Sequence, residues 1–172
     1  MGPEILNPAT EPHKRVPVWT VGHGSDSFFA FELRLEPYGI AAVADVRSQP
    51  VSRHAPDFGK PKLEEHTTDA GLGYRWLGRG LGGRPEDPAL RKADGSADYA
   101  AIAEDPRFLA SLDELIGMAG AARTAILCAE YSPDDCHRCL LIAPELEARG
   151  FEVIHILGDG STRPHHSALP FT

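Results

Sequence analysis

Short, nearly continuous apolar runs alternate with amphipathic stretches along most of this chain. Residues 16–21, 40–46 (IAAVADV), 124–128 (TAILC) and 152–157 (EVIHIL) are such runs, and 73–77 reads as a further short strand. Runs of this length with little polar alternation are expected of strands buried on both faces of a parallel sheet. Between the first two, Phe28, Phe31 and Leu35 fall on one helical face. Ser25 or Asp26 is placed to cap that helix, and Pro37 and Gly39 stop it. Residues 60–70 predict a second helix with Pro61 near its start. Asp105-Pro106, a cap followed by a first-turn proline, opens a longer helix with the stripe Phe108, Leu109, Leu112, Leu115, Ile116 and Ala119. Residues 134–149 predict a helix closed by Gly150, with Pro144 kinking or breaking it.

The order predicts an α/β fold: a single domain over residues 16–158 with a mainly parallel sheet flanked by helices, a Rossmann-like or flavodoxin-like three-layer arrangement. Residues 78–98 are rich in Gly and Asp and lack periodicity, so they predict a long loop, a common place for function. Residues 1–15, with three prolines, and 159–172, with His165-His166, predict flexible tails.

On this plan the residues capable of chemistry gather. His23 follows the first strand, Asp45 and Arg47 end the second, Cys128 ends TAILC, and Glu130 follows at once. Parallel strands present their carboxyl ends on one side, where open α/β sheets bind ligands. Each residue also has an ordinary reading. Asp45 and Arg47 can be a structural salt bridge, or Arg47 can offer its planar fork to a phosphate or carboxylate. Cys128 can be a small buried hydrophobe, or a thiolate if a helix N-terminus points at it. Cys136-His137-Arg138-Cys139 holds one CxxC, a weak zinc signal because tetrahedral zinc needs four ligands. A candidate metal set is Cys128, Glu130, Cys136 and His137. Cys139 falls in register with Ile142, Ala143 and Leu146 and reads as core. Cys136, His137 and Arg138 would lie in the first helical turn, where Arg138 could help hold an anion. His155 reads as a hydrogen-bonded structural residue of the last strand.

Composition narrows the options. The formal net charge of −8 argues against a protein that coats nucleic acid through bulk charge. It leaves room for a local basic cleft built from Arg47, Arg53, Arg75, Arg79, Arg84 and Arg138. Three cysteines make a poor disulfide framework and suit a reducing compartment. No apolar run approaches the ~18 residues of a membrane span, and the N-terminal residues lack the apolar core of a secretory signal. The expected location is therefore the cytoplasm, with no membrane partner. There is no GxxxxGK[ST] and no GxGxxG opening a helix, so no nucleotide-cofactor motif is present.

TVGHGS (20–25), DVRSQPVSR (45–53), GYRWLGRGLGG (73–83), ILCAEYSPDDCHR (126–138) and VIHI (153–156) together resemble, in order and over residues 16–157, the bacterial and archaeal family called domain of unknown function 488. Gly24 stands where that family carries serine, which is displaced here to Ser25. The resemblance implies an α/β fold and a shared polar site, but no reaction. Carried over by position, it adds Pro50, Ser52, Arg53, Tyr74, Leu81, Gly82 and Gly83 to the residues above. A weaker topological likeness is to rhodanese-type domains, although the compact Cys-to-Arg loop of those proteins is absent. The first expectation is an enzyme acting on a phosphate-bearing or other anionic substrate. In it Cys128 is the nucleophile and His137 or His23 the base. Asp45 and Glu130 complete the catalytic group, while Arg47, Ser52, Arg53, Tyr74, Gly82, Gly83 and Arg138 bind substrate. The alternatives are a non-catalytic nucleic-acid-binding domain, with Tyr74 and Trp76 stacking on bases, and a metal-binding Cys/His site.

Overall fold

The computed structural model describes residues 15–165. Six strands form one sheet: β1 (Pro17–Gly22), β2 (Ala42–Asp45), β3 (Gly73–Trp76), β4 (Thr124–Cys128), β5 (Glu152–Ile156) and β6 (Thr162–Pro164). Their order is β3-β2-β4-β1-β5-β6. Every neighbouring pair is parallel except β5 and β6. The sheet is thus mainly parallel, as the apolar runs imply. β6 is the departure: residues from 159 were expected to be a tail, yet Thr162–Pro164 pairs with β5 as an antiparallel edge strand. The turn before it is fixed by Asp159, whose carboxylate accepts from the backbone N–H and hydroxyl of Ser161. Strand propensity is weak in so short a segment, so periodicity could not reveal it. The remaining tail residues, 1–14 and 166–172, lie outside the described residues.

Strand residues alternate between two apolar layers, as the two-residue period requires. Val18, Ala44, Ile126 and Val153 pack with Leu112, Leu115, Ile142 and Leu146. Trp19, Val21, Val43, Ala125 and Leu127 pack with Phe28, Phe31, Phe58 and Leu63 on the other side. The helices α1 (Phe28–Leu35) and α2 (Lys60–Asp69) cover this second layer; α5 (Pro106–Ala121) and α6 (Ala143–Ala148) cover the first. The result is the expected three layers.

Local chemistry explains the departures. The cap of α1 is Ser27, whose hydroxyl accepts from the Ala30 N–H, rather than Ser25 or Asp26. Asp26 is occupied by a salt bridge to Arg34 at 2.7 Å. The stretch 78–98 is not one loop: it starts with the short helix α3 (Gly78–Leu81) and includes a single turn at Pro88–Leu90 capped by Asp87. Helix α4 (Tyr99–Glu104), capped by Asp98, follows it and was not expected. The helix predicted over 134–149 is split. Residues 138–142 form a wide turn in which the Ala143 N–H reaches back five residues to the Arg138 carbonyl, and α6 follows. Pro144 has no N–H and its ring crowds the carbonyl four residues back, so the widened turn relieves that clash. Among the described residues no helix is long and apolar enough to cross a membrane.

Candidate functional site

A cleft of about 370 Å³ opens at the carboxyl ends of β1, β2 and β4. His23, Arg47, Cys128, Glu130, Cys136 and His137 all contribute to its wall. Register explains the convergence. Gly22, the last residue of β1, lies beside Cys128, the last of β4, and the His23 N–H donates to the Cys128 carbonyl at 3.0 Å. Asp45 lies beside Leu127, one residue before Cys128. Gly22 lets the next loop cross the strand end, because a Cβ there would sit 1.7 Å from the Glu130 carbonyl oxygen. Gly24 has a left-handed φ of 52° and packs under the Tyr131 ring, which a side chain would displace. That is a physical reason for glycine where a serine was anticipated.

The centre of the site is a pair of thiols. Cys128 and Cys136 are both buried, and the Cys136 thiol donates to the Cys128 sulfur at 2.9 Å. His137 Nε2–H donates to the Val46 carbonyl at 3.1 Å, which turns Nδ1 toward both sulfurs, 3.9 Å from Cys128 and 3.7 Å from Cys136. The Cys136 thiol beside it holds Cys128 well below the ordinary thiol range, with help from His137 and the Glu130 N–H and against the effect of burial. Cys136 is pushed up in turn, because losing its proton would put two thiolates in contact. One proton between two sulfurs in contact favours the singly ionised pair, with the charge directed toward Cys128.

Arg138 favours a negative charge on the thiol pair. It is fully buried, its Nη2 donates to the Tyr131 carbonyl at 3.1 Å, and its Nε and Nη1 have no hydrogen-bond partner. Among the described residues no carboxylate pairs with it. A buried guanidinium needs a compensating anion, and the cysteine sulfurs are the groups whose negative charge favours its charged form. Arg138 therefore lies buried behind the thiols and is not among the residues of the cleft wall. The first-turn position expected for residues 136–138 holds: the Cys136 carbonyl accepts from the Cys139 N–H at 2.9 Å and the Leu140 N–H at 3.0 Å, and the turn widens from Arg138 onward.

Asp45 and Arg47 form the second part of the site. Asp45 is fully buried and accepts from Arg47 Nε at 2.8 Å, Nη2 at 2.7 Å and the Tyr74 hydroxyl at 2.6 Å. Arg47 thus spends its fork on Asp45, leaving Nη1 facing His23 Nε2 at 3.4 Å. Tyr74 is a support for that carboxylate; burial first, then Asp45, pushes its phenol up. His23 Nδ1–H donates to the Gly24 carbonyl at 2.8 Å, and its ring stacks on Phe58 at 4.5 Å. Burial first, and Arg47 after it, lower the His23 pKa. The unfolded chain therefore takes up this proton first, so the stability due to neutral His23 is complete above about pH 6.5 and falls as the pH drops below it. A His23→Gln variant should show a flatter decline of unfolding free energy between pH 7 and pH 5 than the parent, by urea denaturation. An unchanged slope would contradict this placement of His23.

The remaining sequence candidates divide. Ser52 reaches the cleft and its hydroxyl accepts from the Ala55 N–H. Gly83 lies against the His137 ring, where a Cβ would come within 2.7 Å, and Gly82 lies against Ser48. Arg53 is exposed and outside the wall; Arg75 is paired with Glu114. The wall also includes Ser48, Gln49, Arg84, Tyr99 and Asp135. Tyr99 was missed because the helix carrying it was missed; Asp98 before an Ala-Ala-Ile run was the available signal. Cys139 is only half-buried, and its sulfur lies 3.6 Å from His165 Nδ1, so it is not the core residue that its helical register suggested.

The donor atoms of Cys128, Cys136 and His137 lie within 4.8 Å of one another, and Glu130 does not join them. Zinc–sulfur bonds of ~2.3 Å in a tetrahedron set two sulfurs about 3.8 Å apart. At the observed 2.9 Å the two sulfurs would have to part by about 1 Å for both to bind zinc.

No curated protein and no solved structure matches this chain. The sequence model of the family described as Domain of unknown function DUF488 matches residues 28–143, about two thirds of the chain, running from α1 through the Asp45–Arg47 pair to the thiols and the wide turn. The chain belongs to the DUF488 family.

Proposed function

We propose that this protein is an enzyme whose nucleophile is the Cys128 thiolate, acting on a small phosphate-bearing or other anionic substrate in the cleft. The observation that carries the reading is the thiol pair: Cys136 Sγ at 2.9 Å and His137 Nδ1 at 3.9 Å around a sulfur that opens onto the cleft. A nucleophile flanked by a hydrogen-bonding partner and an imidazole is the arrangement covalent catalysis needs. Arg84 and Arg47, whose Nη1 faces His23, give the substrate cationic groups; Glu130 and Asp135 also line the cleft. In the first step the thiolate forms a bond to the electrophilic centre while the bond to the leaving group breaks. The leaving group departs with a proton from His137. Water, deprotonated by the same residue, then cleaves the covalent adduct and restores the thiolate. A thiolate of this kind needs a reducing compartment, so we place the protein in the cytoplasm.

The nucleic-acid reading has less support, since Tyr74 points its hydroxyl at Asp45 and Trp76 Nε1 donates to the Arg47 carbonyl. Incubation with a panel of activated phosphate and carboxylate esters tests the reading. It predicts a substrate-sized mass increase on wild-type protein, mapped to Cys128 and absent from Cys128→Ser. If no ester gives an adduct, and iodoacetamide labels Cys128 no faster than Cys139 at pH 7, the reading fails.

A further inference from the structure

A second cluster of soft donors lies outside the cleft. Cys139 comes from the wide turn, His155 from β5, and His165 from the residue after β6. None of the three lines the cleft. The edge strand brings them together: the His165 N–H donates to the Val153 carbonyl at 2.8 Å, continuing the β5–β6 pairing and folding the imidazole back over β5. His155 Nε2 then lies 3.0 Å from His165 Nδ1, and the Cys139 sulfur 3.6 Å from the same nitrogen. All three donor atoms fall within 4.8 Å of one another.

The two distances to His165 Nδ1 are close to the edges of a coordination tetrahedron. Zinc–nitrogen bonds of ~2.0–2.1 Å and zinc–sulfur bonds of ~2.3 Å place nitrogen donors about 3.3 Å apart, and nitrogen and sulfur about 3.5 Å apart. Those two pairs need a few tenths of an ångström to meet them, and the third, Cys139 with His155, lies within 4.8 Å. The other ring nitrogen of His155 is held as well: Nδ1 lies 2.7 Å from the Thr20 hydroxyl of β1, a buried contact. Metal-bound histidines are oriented by such a partner, which fixes the tautomer and leaves the opposite nitrogen for the metal.

We propose that Cys139, His155 and His165 form a binding site for a borderline divalent cation of the Zn²⁺ class, with Thr20 as its orienting partner. Water completes the coordination. The site would clip the wide turn and the β6 edge to the central sheet, which makes its effect structural. Charge sets the strength. Asp134 favours a dication there, whereas its partner Arg163 and buried Arg138 oppose one, so binding is weaker than in four-ligand structural sites. The inference is independent of the proposed catalytic role of Cys128.

The test uses the full chain carrying Cys128→Ser and Cys136→Ser, so that the cleft thiols cannot bind metal. Titration with Co²⁺ should give one equivalent per chain with a sulfur-to-cobalt charge-transfer band, and Zn²⁺ should displace it and raise the melting temperature reversibly with EDTA. Adding Cys139→Ala, a change at a half-buried position, should abolish the band. Thr20→Val, which keeps the strand's β-branched shape, should weaken Zn²⁺ binding about tenfold or more. Absence of a band, or a band that survives Cys139→Ala, would overturn the site. The adduct on Cys128 in the wild-type chain reports separately on the cleft.

Discussion

Replacing Asp45 with asparagine is expected to cost about 3–5 kcal/mol of unfolding free energy, the usual result of removing one partner of a buried ion pair. Asp45 and Arg47 are almost wholly removed from water and joined by two hydrogen bonds of 2.7–2.8 Å. The neutral amide keeps one acceptor but leaves the guanidinium charge unbalanced, and its NH₂ group would face the Tyr74 hydroxyl or Arg47 itself. Domains of this size commonly have only ~5–15 kcal/mol in total, so the loss should be visible as a large shift in the urea midpoint. Tyr74→Phe removes one neutral donor to the same carboxylate, and should cost only about 1–2 kcal/mol. An Asp45→Ala/Arg47→Met double variant should recover much of the loss, because it buries no unpaired charge. A change below about 1 kcal/mol for Asp45→Asn would mean that Arg47 finds water or another anion, and that this pair does not anchor the cleft.

Cys136→Ala is expected to slow alkylation of Cys128 at pH 6 by one to two orders of magnitude. The Cys136 thiol is the largest influence holding Cys128 down. With it gone, a Cys128 pKa returning toward ~8.5 leaves well under one per cent thiolate at that pH. The more basic sulfur is a better nucleophile, which offsets part of the loss. Cys136→Ser retains a hydroxyl donor at the same position and should fall between the parent and the alanine variant. That order separates a hydrogen-bond effect from a packing effect, because serine and alanine differ little in volume. Equal rates in all three proteins would assign the activation of Cys128 to His137 and the Glu130 N–H alone.

The sheet was legible because strands buried on both faces leave apolar runs that nothing else in this chain imitates, and because Asp105-Pro106 marks a helix start without ambiguity. Convergence of His23, Asp45, Arg47 and Cys128 followed from strand polarity alone, since parallel strands share one open end. What could not be read was how each side chain uses its hydrogen bonds. Arg47 and Arg138 look alike in the sequence as candidate anion holders, yet one is bound to Asp45 and the other is buried behind the thiols. Cys139 lies on an apolar helical stripe, but the widened turn ahead of Pro144 rotates it off the register that a regular helix would give. The β6 hairpin depends on a three-residue strand, Thr162–Pro164, and one Asp159–Ser161 turn, a local signal far weaker than hydrophobic periodicity. It is also the element that carries His165 to His155, so the second donor cluster was invisible for the same reason.

The most direct test of the account is the pH dependence of Cys128 alkylation by iodoacetamide, followed by mass spectrometry of its peptide in native protein. The account predicts a rate that stays nearly level from pH 8 down to pH 5.5, because the sulfur is already a thiolate across that range. A rate that rises about tenfold per pH unit and levels off only above the ~8.5 of an ordinary cysteine would show a protonated thiol, and the cleft would then hold no prepared nucleophile.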